Sequence, residues 1–343
     1  MKEPAKIILI RRDNIGDLVC TTPAVAALRR AFPRARLALL ANTYNAVILQ
    51  GHPDLDVLYT VQKPKHAPER AKAAVLWENF RVFRQIRRER FDVAVACGSF
   101  TPTLAHHTFL TGARMRLGYV RRPRRFPWYT HPQAEPMDPC HEVEKVCRLL
   151  HPLGVTEAPG PLRLFPDPEE LARFRAQVTV HPATAGKPLL AVAISARTPN
   201  KCWPLMHFAE LLEALLAEGR LGVVLLWAPG SAHNPLFPGD DEAAAGLRAR
   251  FGERLLAYPT PGLPALVAAL FGVDLVVTPD TGSLHIAAAA RKPTVALMPP
   301  ENVAGWYPWQ TPARVLTDPA GVAAVPTPAV LAAVRELAAD HLG

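Results

Sequence analysis

The sequence predicts an α/β protein made of two consecutive doubly wound domains, each a parallel sheet with helices on both faces. Three observations carry that expectation. Short, continuous apolar runs alternate with amphipathic stretches along nearly the whole chain. The alternation stops once, at a proline-rich stretch, and then restarts. The length of 343 residues suits two domains at ~150 residues each. Strands that are apolar on both faces belong to parallel sheets covered on both sides.

The elements follow in order. Lys6–Ile10 (KIILI) reads as a buried strand, and Thr22–Ala31 as a helix with Pro23 in its first turn. Arg36–Leu40 and Asp56–Val61 read as strands. Residues Glu69–Arg88 place apolar side chains at 75, 76, 80, 83 and 86, which is helical spacing. Phe91–Cys97 reads as a strand and Cys140–Leu153 as a helix. The stretch from Pro159-Gly160-Pro161 to Pro166-Asp167-Pro168 marks the boundary between a first domain, 1–165, and a second, 166–325. The pattern then restarts with a strand at Leu189–Ile194, a helix at Leu205–Leu216 and a strand at Leu221–Trp227. A helix at Ala265–Phe271, a strand at Asp274–Thr278, a helix at Ser283–Ala290 and a strand at Thr294–Met298 complete it. Pro326–His341 closes the chain as an amphipathic helix.

Composition narrows the class. Apolar residues are 49% and charged residues 20%, which excludes wholesale disorder. The five cysteines are odd in number and include no Cys-x-x-Cys pair, which argues against a disulfide framework or zinc ribbon and for a reducing compartment. Lys6 is followed by only four apolar residues before Arg11-Arg12, too few for a signal-peptide core. Leu255–Val273 is uncharged, but Pro259, Pro261, Gly262 and Pro264 make it a loop followed by a buried helix rather than a membrane span. The expected location is the cytoplasm.

Charge is uneven. Residues 1–165 carry 26 Lys/Arg against 14 Asp/Glu, whereas residues 166–343 carry 13 against 16. The excess concentrates in Arg81, Arg84, Arg87, Arg88 and Arg90, and in Arg121-Arg122-Pro123-Arg124-Arg125. The first cluster suits a solvated helix face, and the excess as a whole suits an anionic partner such as a phosphorylated substrate or lipid surface. A nucleic-acid partner is not expected, because no helix-turn-helix, RNA-binding aromatic motif or zinc finger is present. Dinucleotide fingerprint, phosphate loop and nucleophile elbow are all missing from the sequence. Neither His106-His107 nor Cys140-His141 has a metal-ligand spacing, so no metal site is expected.

Three loops carry candidate chemistry. Arg11-Arg12-Asp13-Asn14-Ile15-Gly16-Asp17 follows the first strand, where open parallel sheets bind ligands. Asp17 there is either a helix cap or a carboxylate placed to take a proton from a substrate hydroxyl. The loop Ser195-Ala196-Arg197-Thr198-Pro199-Asn200-Lys201-Cys202-Trp203-Pro204 combines hydroxyls, an Arg and a Lys ahead of a helix, a phosphate-binding set unless Trp203-Pro204 merely caps by packing. Asp280-Thr281-Gly282-Ser283-Leu284-His285 opens a helix whose N-terminal N–H groups suit a diphosphate, or is an ordinary capped helix with His285 in the core.

Taken together, these loops resemble glycosyltransferase family 9, the heptosyltransferase family. The shared features are Asn14-Ile15-Gly16-Asp17 with Thr22-Pro23, Lys201-x-Trp203-Pro204, Asp280 to His285, and Pro293-Thr294-Val295-Ala296-Leu297, in that order. Arg116-Leu117-Gly118-Tyr119 and His141 are also similar to the family. The resemblance implies a GT-B fold of two Rossmann-like domains facing a central cleft, with residues 326–343 packing back on the first domain. It implies inverting, metal-independent transfer from a nucleotide sugar, expected to be ADP-heptose, to a phosphorylated glycolipid of the lipopolysaccharide core. No further cofactor is implied. Asp17 then matches the general base, with Asn14, Gly16, Arg121 and Arg122 on the acceptor side. The donor side comprises Ser195, Arg197, Thr198, Lys201, Trp227, Asp280, Thr281, Gly282, Ser283 and His285. Peripheral contact with the inner membrane would suit such an acceptor. The turn after Trp227 departs from the family, showing no acid for the donor ribose until Asp240. The competing expectations are a GT-B-shaped nucleotide-sugar epimerase and a non-catalytic nucleotide-sugar-binding protein.

Overall fold

The computed structural model describes residues 3–64, 69–121, 127–234 and 238–342. The chain divides between Phe165 and Pro166 into two compact units. In the first, strands β1 (Lys6–Ile10), β2 (Arg36–Asn42), β3 (Val57–Val61), β4 (Val93–Ala96), β5 (Met115–Val120) and β6 (His131–Ala134) form a sheet of order β3-β2-β1-β4-β5-β6. In the second, β7 (Leu189–Ala193), β8 (Gly222–Trp227), β9 (Leu256–Pro259), β10 (Leu275–Pro279), β11 (Thr294–Leu297) and β12 (Ala313–Leu316) form a sheet of order β12-β11-β10-β7-β8-β9. All ladders are parallel; Ile7 pairs with Leu37 and Val93, and Leu190 with Leu275 and Val223.

Read from the first strand of each unit, the two orders are the same. In each, the strand order reverses beside the first strand, between β1 and β4 and between β7 and β10. Ligands of doubly wound sheets bind outside the carboxyl ends of the strands at such a reversal. The central strands are continuously apolar because both faces are covered: β4, β7, β8, β10 and β11 are buried at every residue. The edge strands read differently. Strand β6 (HPQA) is largely exposed and holds Pro132, which an interior strand would not tolerate.

Each unit has its own core. Ile8, Ile10, Tyr59, Phe83, Ile86 and Phe91 fill the first, and Leu190, Val192, Phe208, Leu212, Leu225 and Val277 belong to the second. Burying each such side chain stabilises by roughly 1.5–3 kcal/mol before the entropy of ordering it is counted.

The final helix, Thr327–Leu342, packs on the second unit: Val330, Ala333, Val334 and Leu337 form one apolar stripe buried in the second core. The structure corrects two expectations. The stretch Cys140–Leu153 is not one helix. Helix Glu142–Arg148 gives way to a 3₁₀ turn at His151–Leu153, where Pro152 removes a backbone donor and Gly154 turns left-handed at φ +79°. The uncharged stretch from Leu255 is also more than a loop before its helix, because Leu256–Pro259 pairs along β8 as an edge strand.

Candidate active site

In the first unit the chain leaves β1 at Arg11, beside the reversal of strand order. The Arg11 side chain is only 2% exposed. Its Nη1 donates to the carbonyl of Cys97, just past β4, at 2.7 Å, and to Glu142 Oε1 at 2.7 Å. Its Nη2 donates to Asp17 Oδ1, and its Nε lies 3.4 Å from Asp13 Oδ2. Burial alone would lower the affinity of this guanidinium for its proton. The carboxylates of Asp17, Glu142 and Asp13 outweigh burial and raise it above its ordinary range. One buried cation therefore joins the ends of two central strands to helices Ile15–Val19 and Glu142–Arg148.

Asp17 has two roles in this geometry. It is the third residue of helix Ile15–Val19, and its Oδ2 accepts the Asn14 backbone N–H at 2.9 Å, half of a capping box. Its side chain still keeps 13% exposure, more than any other group on Arg11 except Asp13. Gly16 lies half-buried in the same short helix and Asn14 caps it from the exposed loop. Arg121 is exposed just past β5, and Arg122 lies outside the described residues.

The loop itself is clamped from β2 and the turn after it. Asn42 Nδ2 donates to the carbonyls of Arg12 and Asp13, Tyr44 Oη donates to Asp13 O at 2.9 Å, and Asn45 Nδ2 donates to Asp13 O and Asn14 O at 3.2 and 3.3 Å. Gly98 closes the other side. Its φ is +141°, and a Cβ there would meet Arg11 Nη1 at 2.8 Å, so only glycine lets the guanidinium lie against the strand end.

In the second unit the same topological position is differently furnished. Lys201 ends a 3₁₀ turn, Pro199–Lys201, and its Nζ pairs with Asp280 Oδ2 at 2.8 Å. Here the acid is buried, at 3% exposure, and the cation reaches outward, at 28%. Asn302 Nδ2 donates to the same Asp280 oxygen at 2.7 Å. Next to Asp280, helix Gly282–Ala289 begins with Thr281 as its N-cap, whose side chain makes no capping hydrogen bond. The hydroxyls of Thr278, Ser283 and Thr281 form a chain with spacings of 2.6 and 2.7 Å. His285 is buried one turn in, edge-on to Trp306 at 5.7 Å between ring centres.

The remaining expected donor residues fall in two groups. Arg197 and Thr198 are exposed on the loop leading to Lys201. Ser195 and Trp227 instead brace the turn after β8. Ser195 Oγ donates to Asp240 Oδ2 at 2.6 Å and accepts the Ala228 N–H at 2.8 Å. Trp227 is buried, and its Nε1 donates to Asp241 Oδ1 at 2.8 Å. The Trp227 and Gly230 donors hold the Asp241 carboxyl below its usual value, whereas burial pushes Asp240 up despite its bond to Ser195. Trp203 is buried beside Phe208, and its Nε1 donates to Val325 O at 2.8 Å, so it anchors the Lys201 loop by packing.

With this geometry in view, comparison with known proteins is decisive. A family model described as glycosyltransferase family 9 (heptosyltransferase) matches residues 79–323. The chain belongs to this family. Among curated relatives, Lipopolysaccharide heptosyltransferase 3 of Escherichia coli is 26% identical, the match covering 86% of this chain and 83% of the relative. Lipopolysaccharide heptosyltransferase 2 of Salmonella typhimurium is 28% identical, covering 91% and 87%. Among solved structures, the E. coli heptosyltransferase WaaC with ADP has a TM-score of 0.76 at 19% identity, covering 97% of this chain and 99% of that one. The fold class is GT-B, two Rossmann-like units of parallel sheet on one chain.

In this family 9 glycosyltransferase, the structure brings together Asn14, Gly16 and Asp17 in one unit, and Lys201, Asp280, Thr281, Gly282 and Ser283 in the other. Glu142, Gly98, Asn42, Tyr44, Asn45, Asn302 and Asp241 were not expected. Of these, Asp241 had a sequence signal, since it adjoins Asp240, the first acid after the turn that departs from the family pattern.

Proposed function

We propose that this family 9 glycosyltransferase moves heptose from ADP-heptose onto a hydroxyl of a lipopolysaccharide core, with inversion at the transferred carbon. The names of its relatives support the sugar and acceptor classes, and the ADP complex of the E. coli heptosyltransferase supports the nucleotide. One observation carries the division of labour. The first unit holds a cation buried and turns a carboxylate outward, whereas the second holds a carboxylate buried and turns a cation outward.

Each outward group suits one half of the reaction. As the acceptor oxygen bonds to the sugar carbon, its proton passes to the Asp17 carboxylate. Arg11 and the Asn14 N–H fix the orientation of that carboxylate. As the bond from the sugar to the diphosphate breaks, the electron pair leaves with ADP. Lys201 and the N–H groups opening helix Gly282–Ala289 meet that charge, so the positive charge comes from protein groups rather than a metal ion. Residues Asn14, Gly16, Arg121 and Arg122 serve the acceptor, and the cytoplasmic face of the inner membrane is the expected workplace.

Asp17→Asn tests the assignment. The amide is isosteric and takes no proton; its single oxygen can keep the contact with Arg11 while the Asn14 N–H loses its acceptor. ADP release from ADP-heptose in the presence of acceptor should fall by about 10²–10⁴-fold, while ADP affinity by calorimetry stays unchanged. Near-normal turnover would remove Asp17 from the base role. A thermal-shift panel of ADP-, GDP-, UDP- and dTDP-sugars tests the donor, since the true donor stabilises the folded state by mass action.

A further inference from the structure

We propose that the outer face of helix Lys72–Glu89 is a docking surface for an anionic lipid bilayer. The helix packs into the first core through Val75, Phe83 and Ile86. Its opposite face is not the simple solvated surface that its arginines alone suggest. Leu76, Trp77 and Phe80 are 59%, 60% and 54% exposed, and their three- and four-residue spacing sets them side by side. Trp77 and Phe80 stack on each other at 5.4 Å between ring centres and 23° between planes. One turn and two turns beyond Phe80 on the same face stand Arg84 and Arg88, with Arg81 along its margin, all exposed.

Charge selects the occupant. The two acids of this helix are already neutralised, Glu78 by Arg70 and Glu89 by Lys6 at 2.8 Å and Arg36 at 3.8 Å. Arg81, Arg84 and Arg88 make no salt bridge among the described residues. The face therefore offers an aromatic and aliphatic tip followed by unneutralised guanidinium groups. That combination matches the boundary between acyl chains and anionic headgroups, where Trp favours its amphipathic position and each cation gains from surface potential. A second copy of the chain fits less well, since a two-fold pairing of this face gathers two sets of unneutralised arginines into one interface with no acid to meet them. No described helix is long and apolar enough to cross a membrane, so the contact is one of lying on the surface. The inference does not depend on the donor or the acceptor.

The test is co-sedimentation of the full chain, without substrates, with vesicles of phosphatidylethanolamine and phosphatidylglycerol or of phosphatidylcholine alone. Binding to the anionic vesicles should exceed binding to phosphatidylcholine by about tenfold or more and weaken with salt. The surface variants Trp77→Ser/Phe80→Ser and Arg81→Glu/Arg84→Glu should each lower the anionic partition by about tenfold or more, with melting temperatures unchanged. Unaltered partition of either variant overturns the proposal, as does failure of the wild type to bind anionic vesicles. So does a wild-type dimer in sedimentation that Trp77→Ser/Phe80→Ser dissolves, which assigns the face to a second copy.

Discussion

At each reversal of strand order an ion pair stands just past the strand ends, yet the two pairs are built in opposite senses. After β1 the buried member is Arg11 and the outer member Asp17; beside β10 the buried member is Asp280 and the outer member Lys201. A charge withdrawn from water is tolerated only when partners hold it, so the buried member is fixed by its surroundings. Arg11 has Asp17, Glu142 and the Cys97 carbonyl; Asp280 has Lys201 and Asn302. The outer member inherits that orientation and, in the proposed reaction, is what a ligand meets. The same strand order thus presents an anion in one unit and a cation in the other, and what differs is a single choice of which charge is buried.

The strongest way to break this comparison is to remove the buried cation. Arg11→Met leaves Asp17, Glu142 and Asp13 clustered without the charge that gathers them, and breaking a buried pair this way costs roughly 3–5 kcal/mol. Urea unfolding should show that loss, and transfer should vanish because Asp17 no longer has a fixed direction. Adding Glu142→Gln should recover part of the stability by removing one stranded carboxylate. Wild-type unfolding of Arg11→Met would mean that the capping box alone positions Asp17.

Removing the outer cation asks the converse question. Lys201→Met should lower ADP affinity by roughly tenfold or more, about 1.4 kcal/mol, while costing less stability than Arg11→Met because Asn302 still donates to Asp280. The double variant Lys201→Met/Asp280→Asn should regain stability without regaining affinity. Calorimetry and urea unfolding read the two effects separately. If affinity returns in the double variant, Lys201 serves Asp280 and not the ligand.

What the sequence disclosed follows the range of the interactions involved. Period and polarity are local, so Lys6–Ile10 and Thr22–Ala31 appear with the same ends in the structure. The edge strands β6 and β12 escaped notice, because half-exposed strands lack a continuous apolar run. The site loops were legible as loops after strands, and Lys201 and Asp280 as charged members of two of those loops. Their pairing was not, since 79 positions separate them and only the β7–β10 neighbourhood brings them together. Glu142 was invisible for the same reason: nothing near it in sequence says that its carboxylate meets Arg11, 131 residues away. The C-terminal helix was legible as amphipathic, but an apolar stripe shows that a helix packs, not that the second core receives it.

The smallest expected effect contrasts Arg11 with its neighbour. Arg12 Nη1 meets not a carboxylate but the ring of His107, which also lies 4.9 Å from Phe83 between ring centres. Burial lowers Arg12 to about 10, with Asp13 opposing the shift. Burial, then the charges of Arg12 and His106, holds His107 down at about 3. An unfolded histidine takes up a proton below about pH 6.5. Between that value and about 3 the unfolded chain therefore binds more protons at this position than the folded one. The contribution of His107 to stability is complete above pH ~6.5 and is lost as pH falls toward the folded value. His107→Gln keeps an acceptor for Arg12 and removes the titration. Urea unfolding measured from pH 7 down to pH 4 should show a shallower fall in stability for His107→Gln than for the wild type. An identical slope would mean that the ring gains access to water and protonates in place beside the half-buried Arg12.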